Sequence, residues 1–560
     1  MSAPTPREHT EIDAIAERWL DTVVELRPEL GTYIGRDTYP DRYADYSPQG
    51  HQELATKARQ VKDELARATP RDNVDRVTVW DLQASLDEIA DCYDAGLHLR
   101  DLNVIASPLQ DIRMVYDLMP SQGEEDWTNI ATRLKALPHA IAQYRQSLRT
   151  GIENGTVPAR RQADTVAVQA ARYGDPDGFF AVLVSDERLA SSNLPGTLIQ
   201  ELRRNAQTAA DAYRDIADFL RTELSPRAGE TDGIGRENYA LLSRTFLGAE
   251  IDLDETYEWG REELARMVEE QEVIARQIVD GGGVRAAIEF LEADQTRKLH
   301  GTEALRRWMQ QVSDRAVADL ADTHFEIPEQ VRALECMIAP TQDGGIYYTG
   351  PSDDFSRPGQ MWWSVPEGVT EFDTWRELTT VYHEGVPGHH LQIGQAVYNR
   401  RDLNAWRRLL AGTSGHSEGW ALYAERLMAD LGYLDDPADR IGMLDAQRMR
   451  AARVVLDLGV HLDKPNLDGT GKWTYEWALD FFRQHVNMDD EMIVFEVDRY
   501  FGWPGQAPSY KVGQRVWEEI RDETARRQGD EFDLKAFHTK ALNLGGVRLD
   551  TLRAALNFTD

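Results

Sequence analysis

The chain has 560 residues, enough for a large core, and its 96 acidic against 62 basic residues leave a net charge of −34. That balance excludes nucleic acid and an anionic membrane as main partners. Two cysteines, Cys92 and Cys336, exclude a disulfide framework or thiolate metal cluster, and no stretch approaches the roughly 18 apolar residues of a membrane span. The start, MSAPTPREHTEIDAIAERW, has no apolar run after a basic segment and does not read as a signal peptide, so a cytoplasmic location is expected.

Residues 9–29 read as a helix, with Ile12, Ile15, Trp19 and Leu20 as its apolar stripe and Pro28 to Gly31 as its stop. Residues 30–50, rich in Gly, Tyr, Asp and Pro, read as a loop. Further helices are expected over 51–70, 74–100 and 124–151, two more over 160–222, and a break at 225–239. The clearest helix is 253–279, ended by Gly281-Gly282-Gly283. There is no βα alternation, so a doubly wound sheet is not expected. The character changes near 330. Residues 337–366 carry Gly, Pro, aromatic and β-branched residues and predict one or two short strands with structured loops, either a strand lining a cleft or a packed surface loop. Helices return after Val369: 371–382, a long one over 391–410, a turn at 412–415, then 418–431 and 447–462. Residues 472–560 are mostly helical, broken by the loop 502–510. The fold class is mostly α, a large helical body with a deep cleft and a small β element. Residues 1–330 are expected to wrap the cleft and 331–560 to carry the site, the two forming one integrated body.

The chemistry is concentrated in TVYHEGVPGHHLQ, residues 380–392, where His383, Glu384, His389 and His390 crowd into one short segment of a chain with 13 histidines. His-Glu reads as the start of a zinc-hydrolase signature, in which two histidines one helical turn apart hold the metal and the glutamate activates water. The second half is out of step. On a straight helix, residues six apart point about 120° apart, and residues seven apart sit about 10 Å apart along the axis. Neither His389 nor His390 could then join His383 on one ion, with Zn–N bonds of about 2 Å. Pro387 forces a kink and Gly388 permits the looped backbone that brings one of them back. His389 is the preferred ligand; His390 is left for a substrate group or a supporting carboxylate.

The third ligand is sought in HSEGWALYAE, residues 416–425. Glu418 and Glu425, seven apart, share a helix face. Glu418 as ligand, with Glu425 behind a ligating histidine, makes a metal site with its support, and His416 also points toward the cleft. Two histidines and one glutamate leave an open position for water, with Glu384 as general base. Each of these side chains also has a plain structural reading, a solvated glutamate or a core histidine.

HEGVPGHHLQ, EGWALYAE and the later PGQAPSYKVG (504–513) resemble, over nearly the whole chain, the bacterial family named DUF885, a domain of unknown function. That family is regarded as related to helical gluzincin-type zinc peptidases, the carboxypeptidase Taq, thimet oligopeptidase and angiotensin-converting enzyme groups. The resemblance implies a glutamate ligand on a following helix, matched by Glu418. It also implies a tyrosine and a histidine that bind the substrate carbonyl, best matched by Tyr510 and by His461 in DLGVHLDK. The chain departs from the usual HExxH by two inserted residues. Pro504, Gly505 and Gly513 are expected to shape the Tyr510 loop, with Lys511 pointing away. Between Val460 and Leu462, His461 also fits a core position. Arg357, Arg450 and Arg453 are candidate clamps for a peptide carboxylate, because guanidinium matches carboxylate as a fork.

The reading is a zinc peptidase, one Zn²⁺ per chain, acting on short peptides as an exopeptidase or oligopeptidase. Its competitors are a metal-dependent amidase or esterase and a metal-free scaffold that binds peptides or proteins. Oligomeric state stays open.

Overall fold

The computed structural model describes residues 7–190, 192–339 and 345–557, and helices carry most of it. The first helix, Glu11–Leu26, starts on a Thr10–Asp13 capping box and buries Ile12, Ile15, Trp19 and Leu20, the stripe its spacing predicts. Helices Pro48–Leu65, Asn73–Asp94, Glu124–Asn154 and Leu253–Ile278 follow the expected segments. Residues 160–222 contain two long helices, Arg160–Tyr173 and Gly196–Phe219, with two one-turn pieces between them.

Three departures have local causes. The helix expected over 391–410 divides into His389–Tyr398 and Ala405–Leu409, because the side chain of Asn404 accepts from Arg407 N and starts a new helix. The helix expected from 447 begins at Pro437, where the Asp436 side chain caps and proline occupies the first turn. Gly415 is helical rather than in a turn. A Cβ there would come within 2.5 Å of Leu247 O, and Gly513 of the helix Pro508–Gln528 packs on its backbone, where a Cβ at 513 would lie 2.4 Å from Gly415 O.

The β element is a three-stranded sheet. Gly359–Trp363 is central, parallel to Leu334–Ile338 and antiparallel to Ile346–Thr349. It begins earlier than the expected 337, and residues 340–344 of that segment lie outside the described residues. A two-stranded pair, Lys298–His300 with Glu371–Asp373, sits ahead of the helix Thr374–Glu384.

The largest apolar cluster runs across residue 330. It joins Tyr257, Leu264 and Met267 to Val454, Val455 and Trp517, with the helix Leu253–Ile278 packed on Pro437–His461. A second cluster is built entirely from residues between 44 and 228. No helix among the described residues is long and apolar enough to cross a membrane.

Candidate metal centre

The helix Thr374–Glu384 ends with His383 and Glu384 buried. Residues 385–388 fold back before a new helix starts at His389. The bend is held by Gly388 N donating to Tyr382 O (3.1 Å) and His390 N donating to Gly385 O (3.1 Å), and the Val386–Pro387 peptide is cis. A Cβ on residue 388 would fall 1.9 Å from His383 O, so only glycine fits. Trp420 Nε1 donates to the carbonyls of Pro387 (2.9 Å) and Gly388 (3.2 Å) and pins the bend to the helix Ser414–Asp430.

The bend brings the His383 and His389 rings edge to face, centroids 4.9 Å apart at 89°. One nitrogen of each ring and one Glu384 oxygen lie within 4.8 Å of one another. Glu418 Oε2, from Ser414–Asp430, is 3.3 Å from His383 Nε2 and 3.6 Å from His389 Nε2. Ligand atoms about 2.05 Å from one tetrahedral zinc are about 3.3 Å apart, so this donor set fits the ion. Glu418 Oε2 and His389 Nδ1 are buried without a hydrogen-bond partner, as atoms awaiting a cation or a support would be.

Behind this set, His383 Nδ1 bonds Glu425 Oε1 (2.8 Å), which turns Nε2 toward Glu418. Burial works to lower the His383 pKa, but the adjacent Glu418 and Glu425 carboxylates push it up to about 10. Burial works to raise the Glu418 carboxyl, but His389 and then His383 hold it well below the usual carboxylate range. A proton and a metal therefore compete for one set of donors.

The support runs deeper than the sequence discloses. Gln447 Nε2 donates to Glu425 Oε2 (3.0 Å), and Lys511 Nζ donates to Gln447 Oε1 (2.6 Å), to Gln514 Oε1 (2.9 Å) and to Glu263 Oε1 (3.0 Å). Lys511, expected only to point away from Tyr510, is 1% exposed and ends this chain. A lysine inside the segment PGQAPSYKVG, otherwise free of charged residues, was the available signal, but nothing in sequence names its partners.

His390 is turned out of the cluster. Its Nε2–H donates to Val331 O (2.7 Å) and its Nδ1 meets the Tyr348 hydroxyl (2.9 Å), so both ring nitrogens are used. Burial lowers its pKa to about 4, keeping it neutral. It ties the sheet to the site, and glycine at 359 makes room, because a Cβ there would sit 2.1 Å from the Tyr348 hydroxyl. His416 sits against Trp517 and Gln392, with burial lowering its pKa to about 3.

Tyr510 lies in the first turn of Pro508–Gln528, not in a loop. Burial, then the nearby Glu418 carboxylate, raises its pKa to about 12. His461 is a correction. Its Nε2–H donates to Tyr500 O (2.9 Å) and its ring stacks on Tyr239, and eleven residues of helix put it about 16 Å along the axis from Arg450. Arg453 is likewise committed, bonded to Tyr500 and to Glu496 (2.8 Å) with its guanidinium 5.5 Å from the Tyr510 ring centroid. Arg357 holds the carbonyls of Gly350 and Pro358 within its own loop. Among the described residues Arg450 bonds only the carbonyl of Ala446 in its own helix, and it lies close enough to Glu425 to lower that carboxyl.

Among solved structures, a protein of Colwellia psychrerythraea described as a "putative lipoprotein" matches with TM-score 0.84 and 22% identity, 98% of each chain being covered. A second, from Shewanella oneidensis and described as a "putative lipoprotein of unknown function", matches with TM-score 0.74 and 17% identity over 98% of this chain and 99% of that one. These likenesses establish the shared fold. No curated protein matches the sequence. Residues 28–556 match DUF885, described as bacterial protein of unknown function, and the chain belongs to that family.

Proposed function

We propose that this DUF885 protein is a zinc-dependent hydrolase of peptide bonds in short peptides, a functional relative of the helical gluzincin peptidases. One observation carries the reading: His383, His389 and Glu418 offer three converging donors beside Glu384, in a buried cluster where, among the described residues, no cationic side chain other than the two histidines is bonded to Glu418. Zinc, when bound by these three, supplies a Lewis acid and lowers the pKa of water at the open position. With zinc held there, Glu384 would be the base that takes a proton from the attacking water and returns it to the leaving amine nitrogen. Tyr510, protonated because burial and Glu418 raise its pKa, donates a hydrogen bond where negative charge develops on the carbonyl oxygen. Glu425, positioned by Gln447 and Lys511, fixes the His383 ring. Arg450, which makes no ion pair within 4.0 Å among the described residues, is the remaining clamp for a peptide carboxylate.

The test is metal content of untagged protein, comparing wild type with His383→Ala and Glu418→Ala, followed by hydrolysis of a mixed short-peptide library. About one zinc per chain, lost in both variants, with peptide cleavage in wild type, supports the reading. Bound zinc with cleavage of amides or esters but no peptides moves it to an amidase. No zinc uptake makes the cluster a metal-free scaffold.

A further inference from the structure

A separate cavity of about 410 Å³ opens where the N-terminal helices meet residues 502–504 and the end of Pro437–His461. Its volume is in the range of small-molecule sites. His461 lies fourteen residues beyond Gln447 on one helix, about 20 Å along the axis from the side chain that supports the histidine cluster.

Several polar groups on this wall lack partners. His461 is 1% exposed, and with Nε2–H given to Tyr500 its Nδ1 is an acceptor with no donor. Gln162 is 2% exposed; its amide donates to Asp498 O (2.9 Å), leaving Oε1 without a partner. Gly502 lies against that amide, where a Cβ would come within 2.3 Å of Oε1, so the side chain is held in place. The half-buried guanidinium of Arg100 makes no hydrogen bond or ion pair among the described residues, while Arg27, at the mouth of the cavity, is exposed and its charge acts on Asp101 and Asp111. A shielded guanidinium without an anion is costly, as is a buried acceptor without a donor. Asp232 is occupied by Arg161 at 3.2 Å, which leaves Asp101 as the carboxylate on this wall. Phe246 and Trp503, edge to face at 5.5 Å, supply an apolar face.

Two cations, one carboxylate, two orphaned acceptors and an aromatic face complement a zwitterion with an apolar side chain. We infer that this cavity binds a free apolar α-amino acid, carboxylate on Arg27 and Arg100, ammonium on Asp101, His461 Nδ1 and Gln162 Oε1, side chain against Phe246 and Trp503. In chains of net charge −34, an anion-accepting pocket needs local arginines such as these. The inference does not depend on metal binding at the histidine cluster.

Calorimetric titration of the full chain with L-phenylalanine, in the presence of a chelator, tests it. One equivalent should bind, unchanged in His383→Ala and weakened about tenfold in Arg100→Gln, the loss of one charge-assisted hydrogen bond. On wild-type protein, 3-phenylpropionate and phenethylamine, which lack the ammonium and the carboxylate respectively, should each bind about tenfold more weakly. No binding up to about 10 mM, equal binding of all three compounds, or binding lost in His383→Ala but kept in Arg100→Gln overturns the inference. A Gly-Phe dipeptide that binds more tightly than phenylalanine overturns the assignment to a free amino acid.

Discussion

Arg7 reaches Asp13 and Asp72 at 2.6 Å and also bonds Asp75, while Thr10, Arg71 and Asn404 donate to the same carboxylates. Around His383 the arrangement is inverted. Among the described residues Glu418 Oε2 meets only two imidazoles, and it and His389 Nδ1 have no hydrogen bond. Both clusters bury acidic groups, but the first meets them with a permanently charged arginine and a set of donors, whereas the second offers Glu418 two imidazoles whose protons a metal can replace. A buried cluster that satisfies itself explains stability; one that collects donors for an absent cation is a candidate site.

The sharpest break between the two clusters is chemical. Glu384→Gln should lower peptide hydrolysis about 10²–10⁴-fold while zinc content stays at wild type, because it removes the base and no ligand. Arg7→Ala should leave zinc and kcat unchanged but destabilise folding by about 3 kcal/mol, since Asp13 and Asp75, 1% and 0% exposed, lose their cation. Denaturant titration measures the second effect and metal analysis the first. If Arg7→Ala abolished zinc binding, the two clusters would not be independent.

Gln447→Leu should lower zinc affinity about tenfold, with kcat on zinc-saturated protein changed less, because it disconnects Glu425 from Lys511 without touching a ligand. A competitive chelator titration reads this. Equal loss of affinity and stability would make the Lys511 chain a packing feature only.

The His383 cluster should also show an alkaline limb that Asp13 and Asp72 do not have. In zinc-free protein the His383 pKa is raised to about 10 from an ordinary value near 6.5. Its stabilisation is therefore complete below about pH 6.5 and is lost as pH rises toward 10. Saturating zinc, which displaces that proton, should remove the alkaline decline. Asp13 and Asp72 have lowered pKa values, so their contribution is present above about pH 4 and is lost as pH falls through the folded values, with or without zinc. Melting curves across pH, with zinc and with chelator, measure both limbs.

The smallest effect separates neighbouring histidines. His390→Phe should leave zinc content unchanged and cost about 1–2 kcal/mol, because the Val331 carbonyl and Tyr348 hydroxyl lose their partner. Loss of zinc in that variant would exchange the roles of His389 and His390.

Much of the helical body was legible because amphipathic stripes and caps are local. Ile12, Ile15, Trp19 and Leu20 are buried where their spacing places them. The split after Tyr398 and the early start at Pro437 were missed although Asn404 and Asp436-Pro437 carried their cap signals. The Lys511–Gln447–Glu425 chain joins residues 64 and 22 positions apart, and no local pattern could announce it.

By itself the sequence determined that His383, Glu384, His389 and His390 lie in one short bent segment, since proline and glycine between them forbid a straight helix. Only the tertiary structure decided which histidine turns toward Glu418. His390 is drawn away by partners 42 and 59 residues distant, and His461, placed near the chemistry by analogy, is carried about two helical turns beyond Arg453 into a different cavity. Ring orientation depends on which distant carbonyl, hydroxyl or carboxylate reaches each nitrogen, and those meetings exist only after the helices have packed.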